Sequence, residues 1–301
     1  MDSTKQVEIG KGGARAVVTT RGATLRGFAV DGVAYLETFG ADEAPPMGAG
    51  AVLVPWPNRV AGAEWAYGGK TLRLAVTEPA RGNASHGLVR RAEWEVVERH
   101  ESAVTLGVSV DGQPGWPFPF RTTITYELGD GGLTVTHGVR NLGDRVMPFG
   151  VGAHPYPRPG NADGDDCALR LAATTHLPLD PERMVPTGGP VPIDGYDFAG
   201  GQALRGVTLD DAFGGCEPGP DGLVRHSLRG PGGGVEVWAE PVFKWVQVYT
   251  PDSFPGKDNG RAVAIEPMTC PPDALNSGID LLDVAPGAEW RGSWGVTPLM
   301  S

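Results

Sequence analysis

A large antiparallel β-sandwich with few, short helices is the all-β fold this sequence predicts, on three observations. Apolar and polar residues alternate with a period of two in stretch after stretch. Glycine and proline, 46 and 28 of 301 residues, are scattered without a collagen-like period, as turns between many short strands require. Long helical periodicity is absent, and the best helical candidate is the short run Pro272-Asp273-Ala274-Leu275-Asn276.

The clearest alternation is FRTTITYEL. It sets Phe120, Thr122, Ile124, Tyr126 and Leu128 on one face and Arg121, Thr123, Thr125 and Glu127 on the other. The turn residues GDGG follow, and the chain returns with Leu133, Val135, His137 and Val139 on a shared face, so a hairpin is expected. EWEVVERH, AVTLGVSV, VEVWAE, KWVQVYT and AVAIEP are further strand candidates. There is no internal repeat and no low-complexity linker. The stretch from Arg158 to Asp166 reads as a polar loop, and residues 1–301 are read as one domain.

Composition bounds the function. With 40% apolar and 20% charged residues the chain can bury a sizeable core. A net charge of −11 with no Lys/Arg run argues against nucleic-acid binding. The three cysteines, Cys167, Cys216 and Cys270, are widely spaced with no C-x-x-C, which fits free thiols in a reducing cytosol. The start MDSTKQVEIG lacks an apolar leader, and no run approaches the ~18 apolar residues of a membrane span. A cytoplasmic protein with no membrane partner is expected; nothing in the sequence fixes an oligomeric state.

Two strand ends share one design. In PFGVGAHP, alternation puts Phe149, Val151 and Ala153 on one face and Gly150, Gly152 and His154 on the other. In RAVAIEPM it puts Val263 and Ile265 on one face and Ala262, Ala264 and Glu266 on the other. Each run reads small, small, ionisable, proline. Missing bulk beside an ionisable group is expected to leave a concavity that a ligand fills, while the prolines hold the group in place. An imidazole and a carboxylate facing one pocket suit general acid–base catalysis.

Other polar residues could line such a pocket. PWPNRVAGAEW holds Asn58 and Arg59 amid prolines and aromatics, where Arg59 is either a structural ion pair or a multidentate donor to ligand oxygens. NASHGLVR holds His86 before a glycine, and TLDDAFGG holds Asp210 and Asp211 beside Leu209 and Phe213. KWVQVYT puts Trp245, Gln247 and Tyr249 on one strand face, an aromatic–amide–aromatic row suited to stacking on a sugar and bonding its hydroxyls. His137 reads as a packed core histidine; His100, His176 and His226 carry no signal. No H-x-H or H-E-x-x-H occurs, so no metal is expected, although His86, His154 and Glu266 could in principle form a two-His-one-carboxylate set. No phosphate-cradling glycine loop occurs either, which argues against a nucleotide cofactor.

Taken in order, PNRV, SHG, GAHPYP, LDDAF, WVQVYT, IEPMTCPPDALNSG and WGVTPL resemble the aldose 1-epimerase (mutarotase) family, from about Val7 to Leu299. The resemblance implies the galactose mutarotase-like supersandwich, a site in a concave sheet face, and α/β anomer interconversion of a monosaccharide without cofactor or metal. It implies Glu266 as the base at the C1 hydroxyl and His154 as the acid at the ring oxygen. Asn58, Arg59, His86, Tyr156, Asp210 and Gln247 are implied as sugar ligands, Asp210 rather than Asp211 because it stands three before the aromatic Phe213. The sequence departs from the galactose mutarotase pattern at Trp56-Pro57, Leu88 and Pro157, and Trp56 is expected to narrow the pocket or offer a stacking surface. Two alternatives stay open: a sugar-6-phosphate 1-epimerase, with Arg90 and Arg91 as phosphate ligands, and a non-catalytic carbohydrate-binding module. A retaining glycosidase using Asp210 and Glu266 is less favoured.

Overall fold

Two open antiparallel sheets organise the chain in a computed structural model that describes residues 5–160, 162–255 and 260–299. The larger, nine-stranded sheet is built around the hairpin Phe120–Gly129 and Gly132–Asn141, whose register runs from Phe120 opposite Asn141 to Gly129 opposite Gly132. Every predicted inward residue of that hairpin is buried, while Arg121, Thr123, Thr125, Glu127, Thr134 and Thr136 are not. The sheet continues through Glu289–Leu299, Gly233–Ala239 and Val224–Gly230 on one side and through Ala103–Val110 and Glu95–Arg99 on the other.

The seven-stranded sheet runs in the order Val191–Pro192, Thr175–Leu177, Asp210–Gly214, Trp245–Tyr249, Ala264–Met268, Gly152–Ala153 and Val52–Leu53. Its inner face contributes Phe213, Val246, Val248 and Ile265 to one apolar cluster that also takes Phe120, Ile124, Tyr126 and Val135 from the larger sheet. The two sheets therefore pack face to face, and the outer face of the smaller sheet is left for other use.

The predicted strand at EWEVVERH exists, but all of Glu95–Arg99 is exposed. It lies at the edge of the nine-stranded sheet, where neither face is covered. The helical candidate becomes a single turn, Ala274–Ser277. No helix among the described residues is long and apolar enough to cross a membrane.

Candidate active site

Three adjacent strands and one strand end converge on the outer face of the seven-stranded sheet. Gln247 stands directly opposite Glu266, and Ala212 opposite Gln247. Because side chains alternate, Asp210, Gln247 and Glu266 rise on one side. Gln247 Nε2 donates to Asp210 Oδ1 at 2.8 Å. Asp211 leaves by the other face and meets His176 Nε2 at 2.9 Å, so the DD pair is split by the pleat. On the far side of Glu266, Gly152 pairs with Met268, and His154 follows two residues later.

His154 and Glu266 meet. Nε2 of the imidazole lies 3.4 Å from Oε1 of the carboxyl, and both side chains are buried. The imidazole stacks on Tyr156 with ring centres 5.2 Å apart and meets the His86 ring edge-on at 5.6 Å. Tyr156 is anchored through its hydroxyl, which donates to Met47 O at 3.1 Å. The His154 main chain is tied by N–H to Ala51 O at 3.1 Å and by its carbonyl to Gly50 N at 2.9 Å. Thr269, three residues after Glu266, bridges the break between Met147–Phe149 and Gly152–Ala153. Its Oγ1 accepts from Val151 N, and its own N–H donates to Val151 O, both at 2.9 Å.

The small residues before His154 do not leave a hollow, contrary to expectation. A Cβ on Gly150 would overlap Cys270 Sγ, and one on Gly152 would lie 2.8 Å from Pro57 Cβ. Ala262 and Ala264 are likewise packed, in a cluster with Phe39, Ala49, Tyr156 and Phe254. The glycines serve close approach by protein. They admit the Pro55–Pro57 segment against the sheet, and that segment delivers Asn58 and Arg59.

Arg59–Val60 and Ala84–Ser85 form a two-stranded ladder, and His86 N donates to Asn58 O at 2.8 Å, so the PNRV and SHG motifs lie side by side. Gly87, with φ +69°, passes so close to Val54 that a Cβ would overlap its carbonyl. The helical turn contributes from behind: Asp273 N donates to Arg59 O at 2.7 Å, and Asp273 Oδ1 accepts from Ala61 N at 2.9 Å.

Arg59 makes an ion pair and also reaches the site. Nε and Nη2 donate to the two carboxylate oxygens of Glu78 at 2.9 and 3.1 Å, and Nη2 stands 3.9 Å from Asp210 Oδ2. Glu78 in turn accepts from Arg81 at 2.8 Å. Sequence reasoning missed Glu78 and Arg81, because TEPARG reads as an ordinary polar turn. Trp56 corrects another expectation: its ring packs in the core, 5.5 Å from Trp116, and neither narrows nor floors the site.

Burial dominates the electrostatics. It pushes the Glu266 carboxyl well above the usual range; the Asp210 charge adds to this, and Arg59 opposes it. Burial pushes His154 down to about 3, helped by the Arg90 and Arg59 charges. His86 falls well below its usual value for the same first cause, with His154, Arg90 and Arg59 adding to it. Asp210 is raised by burial against the pull of Arg59 and the Gln247 bond. Burial thus favours the uncharged form of both members of the central pair. Glu266 Oε2, His154 Nδ1, His86 Nδ1 and Gln247 Oε1 are all buried with no hydrogen-bond partner. Such orphaned groups are costly in a resting structure and call for a polar ligand.

The buried histidines also set an acid limit on stability. His137 and His226 are pushed by burial to about 3 and about 4, beside His154 at about 3. In each case the unfolded chain binds a proton that the folded one refuses, so stability is present above the ordinary histidine pKa and is lost as pH falls. Each group is expected to cost on the order of 1–2 kcal/mol at about pH 5 relative to neutrality. Thermal unfolding followed by circular dichroism should show a steep drop in Tm between about pH 6.5 and pH 5; a flat Tm across that range would contradict the burial assigned to these rings.

Among the described residues no group of three or more His, Cys, Asp or Glu has the geometry of a metal site. The residues present suit hydrogen bonding to hydroxyls and proton transfer. Residues 5–297 match the family model described as aldose 1-epimerase. An uncharacterized Escherichia coli K12 protein, YihR, is 29% identical over 290 residues, 96% of this chain and 92% of that one. Galactose mutarotase of Rattus norvegicus is 30% identical over 156 residues, which span 50% of this chain and 44% of that protein. In fold, a galactose mutarotase-like protein from Clostridium acetobutylicum superposes with a TM-score of 0.86 at 19% identity, covering 99% of this chain and 96% of the other.

Proposed function

Because the chain belongs to the aldose 1-epimerase family, we propose that it interconverts the α and β anomers of an aldohexose by acid–base ring opening and closure, without a cofactor. The observation that carries this reading is the buried contact of His154 Nε2 with Glu266 Oε1 at 3.4 Å. The neutral pair holds one proton. Passing it across that contact gives carboxylate and imidazolium, with no proton taken from solvent. Glu266 then removes the proton from the C1 hydroxyl, the bond from C1 to the ring oxygen breaks, and His154 gives its proton to that oxygen. The open aldehyde turns about C1–C2. On closure His154 takes the proton back and Glu266 returns one to the new C1 hydroxyl, so the pair ends as it began.

Asp210, Gln247, Arg59, His86 and Tyr156 are assigned to the sugar with Asn58, whose carbonyl holds His86 N and whose Oδ1 accepts from Arg59 N. Gln247 Oε1 and His86 Nδ1 are buried without a hydrogen-bond partner, which suits them to bond sugar hydroxyls. Three buried cysteines, for which no disulfide is seen among the described residues, favour a reducing, cytoplasmic setting. Polarimetry on freshly dissolved α-D-glucose and α-D-galactose tests the reading. The approach to anomeric equilibrium should accelerate in proportion to added protein. Rates equal to buffer across neutral and phosphorylated aldoses would end it, and saturable sugar binding without turnover would make the sheet face a binding module.

A further inference from the structure

The second aspartate of LDDAF has no part in the mechanism above, and its partner His176 carried no signal in the sequence. Their side chains are each 28% exposed, on the face of the sheet turned away from the acid–base pair. Asp211 uses both carboxylate oxygens. Oδ1 meets His176 Nε2 at 2.9 Å, and Oδ2 accepts from the backbone N–H of Asp210 at 3.1 Å.

The reason lies in the ladder. Toward Trp245–Tyr249 the pairing runs from Phe213 opposite Val246 out to Asp210 opposite Tyr249. Toward Thr175–Leu177 it stops at Leu177 opposite Ala212. Pro178 follows, and Leu179 turns to pair with Pro186. Asp210 therefore stands two residues past the last rung on that side. The Asp211 carboxylate gives the Asp210 N–H an acceptor where the ladder has ended. His176 keeps that carboxylate in place. The imidazole stands opposite Phe213 with ring centres 5.4 Å apart, and Phe213 packs on Phe198 at 5.0 Å. On the other face Asp210 meets the site, with Oδ1 accepting from Gln247 Nε2 at 2.8 Å and Oδ2 lying 3.9 Å from Arg59 Nη2. Any shift of the Asp210 backbone moves its carboxylate against both.

We propose that Asp211, braced by His176, is a positioning residue: through the Asp210 backbone it fixes where the Asp210 carboxylate meets the sugar. The proposal rests on the reading of Asp210 as a sugar ligand. Neither Asp211 nor His176 touches the ligand or the reacting atoms, so their loss is felt in binding and not in the acid–base step.

Asp211→Ala removes both contacts. It should raise KM for the aldose by roughly tenfold while kcat stays within about twofold. Asp211→Asn keeps an acceptor for the Asp210 N–H and a polar partner for His176, and should return KM to within about threefold of wild type. His176→Phe keeps the packing on Phe213, cannot hold Asp211, and should fall between the two. Amide hydrogen exchange followed by NMR needs no catalysis. The Asp210 N–H should exchange about tenfold or more faster in Asp211→Ala, relative to the Ala212 N–H inside the ladder, which corrects for any general loss of stability. Should Asp211→Ala not fold, His176→Phe against Asp211→Asn makes the same comparison. An unchanged KM in Asp211→Ala and His176→Phe, or equal losses of kcat in all three variants, overturns the proposal. If no aldose is turned over at all, the epimerase reading fails, and the exchange ratio still decides the bracing: a ratio that stays at the wild-type value overturns it.

Discussion

Glu266→Gln is expected to lower catalysed mutarotation by roughly 10²–10⁴-fold while leaving the protein folded. The amide matches the carboxyl in size and can keep the 3.4 Å approach to His154 and the place opposite Gln247. It cannot take a proton from a C1 hydroxyl. The substitution should also cost little stability, because burial already favours the uncharged form of the native group. Its sign with pH is specific. A folded pKa raised above the unfolded value contributes stability that is full below the ordinary glutamate pKa and is lost as pH rises toward the folded value. Wild type carries that loss and the glutamine variant does not. The Tm of Glu266→Gln minus that of wild type should therefore grow as pH rises above the ordinary glutamate pKa. Polarimetry and thermal unfolding on the same preparations check both parts. A variant that mutarotates at the wild-type rate would remove Glu266 from the chemistry.

The two sheets were legible because alternation is a local property. Phe120 to Leu128 and Leu133 to Val139 announce their faces residue by residue, and the structure keeps them. The same rule separates Asp210 from Asp211, since neighbours on a strand must point apart. Alternation says which way a residue points and nothing about what stands there. Gly150 and Gly152 were therefore assigned an empty hollow, and Pro57 and Cys270 occupy it. Those two contacts join segments more than ninety residues apart, beyond the reach of any periodic pattern. Glu78 and Arg81 were missed for the same reason. A polar turn looks alike whether it faces solvent or clamps a buried arginine. Trp56 shows the converse: an aromatic beside a candidate ligand residue suggested a stacking floor, yet its ring completes a cluster with Trp116 and Trp65.

Small residues near His154 and Glu266 thus build the site by letting loops in. The Pro55–Pro57 segment, admitted by the glycines, carries Arg59 to within 3.9 Å of Asp210. Glu78 then fixes the guanidinium by two bonds, so its charge acts in a constant place on Glu266. That charge favours the carboxylate form which the base needs, against a burial that disfavours it. The site balances the two on rigid strands, with the ligand-facing atoms left unpaired.

His154→Gln should reduce the rate by a similar factor, about 10²–10⁴-fold, and the double variant with Glu266→Gln should be little worse than either single one. Two groups that pass one proton between them act as a unit, so removing the second partner takes away what the first removal already lost. The wild-type pH profile follows from the same proton count. Activity requires one proton on the pair. Burial holds His154 down to about 3, so a second proton is added only in acid. Burial raises Glu266, so the first is lost at a higher pH than from an ordinary glutamate. The two shifts open the window in opposite directions, and kcat/KM should stay flat across neutrality within the range where the protein remains folded. A single titration near the ordinary histidine pKa, removed by His154→Gln, would show instead that the imidazole works as an independent, solvent-coupled acid. Additive losses in the double variant would carry the same meaning, and the shared proton would have to be given up.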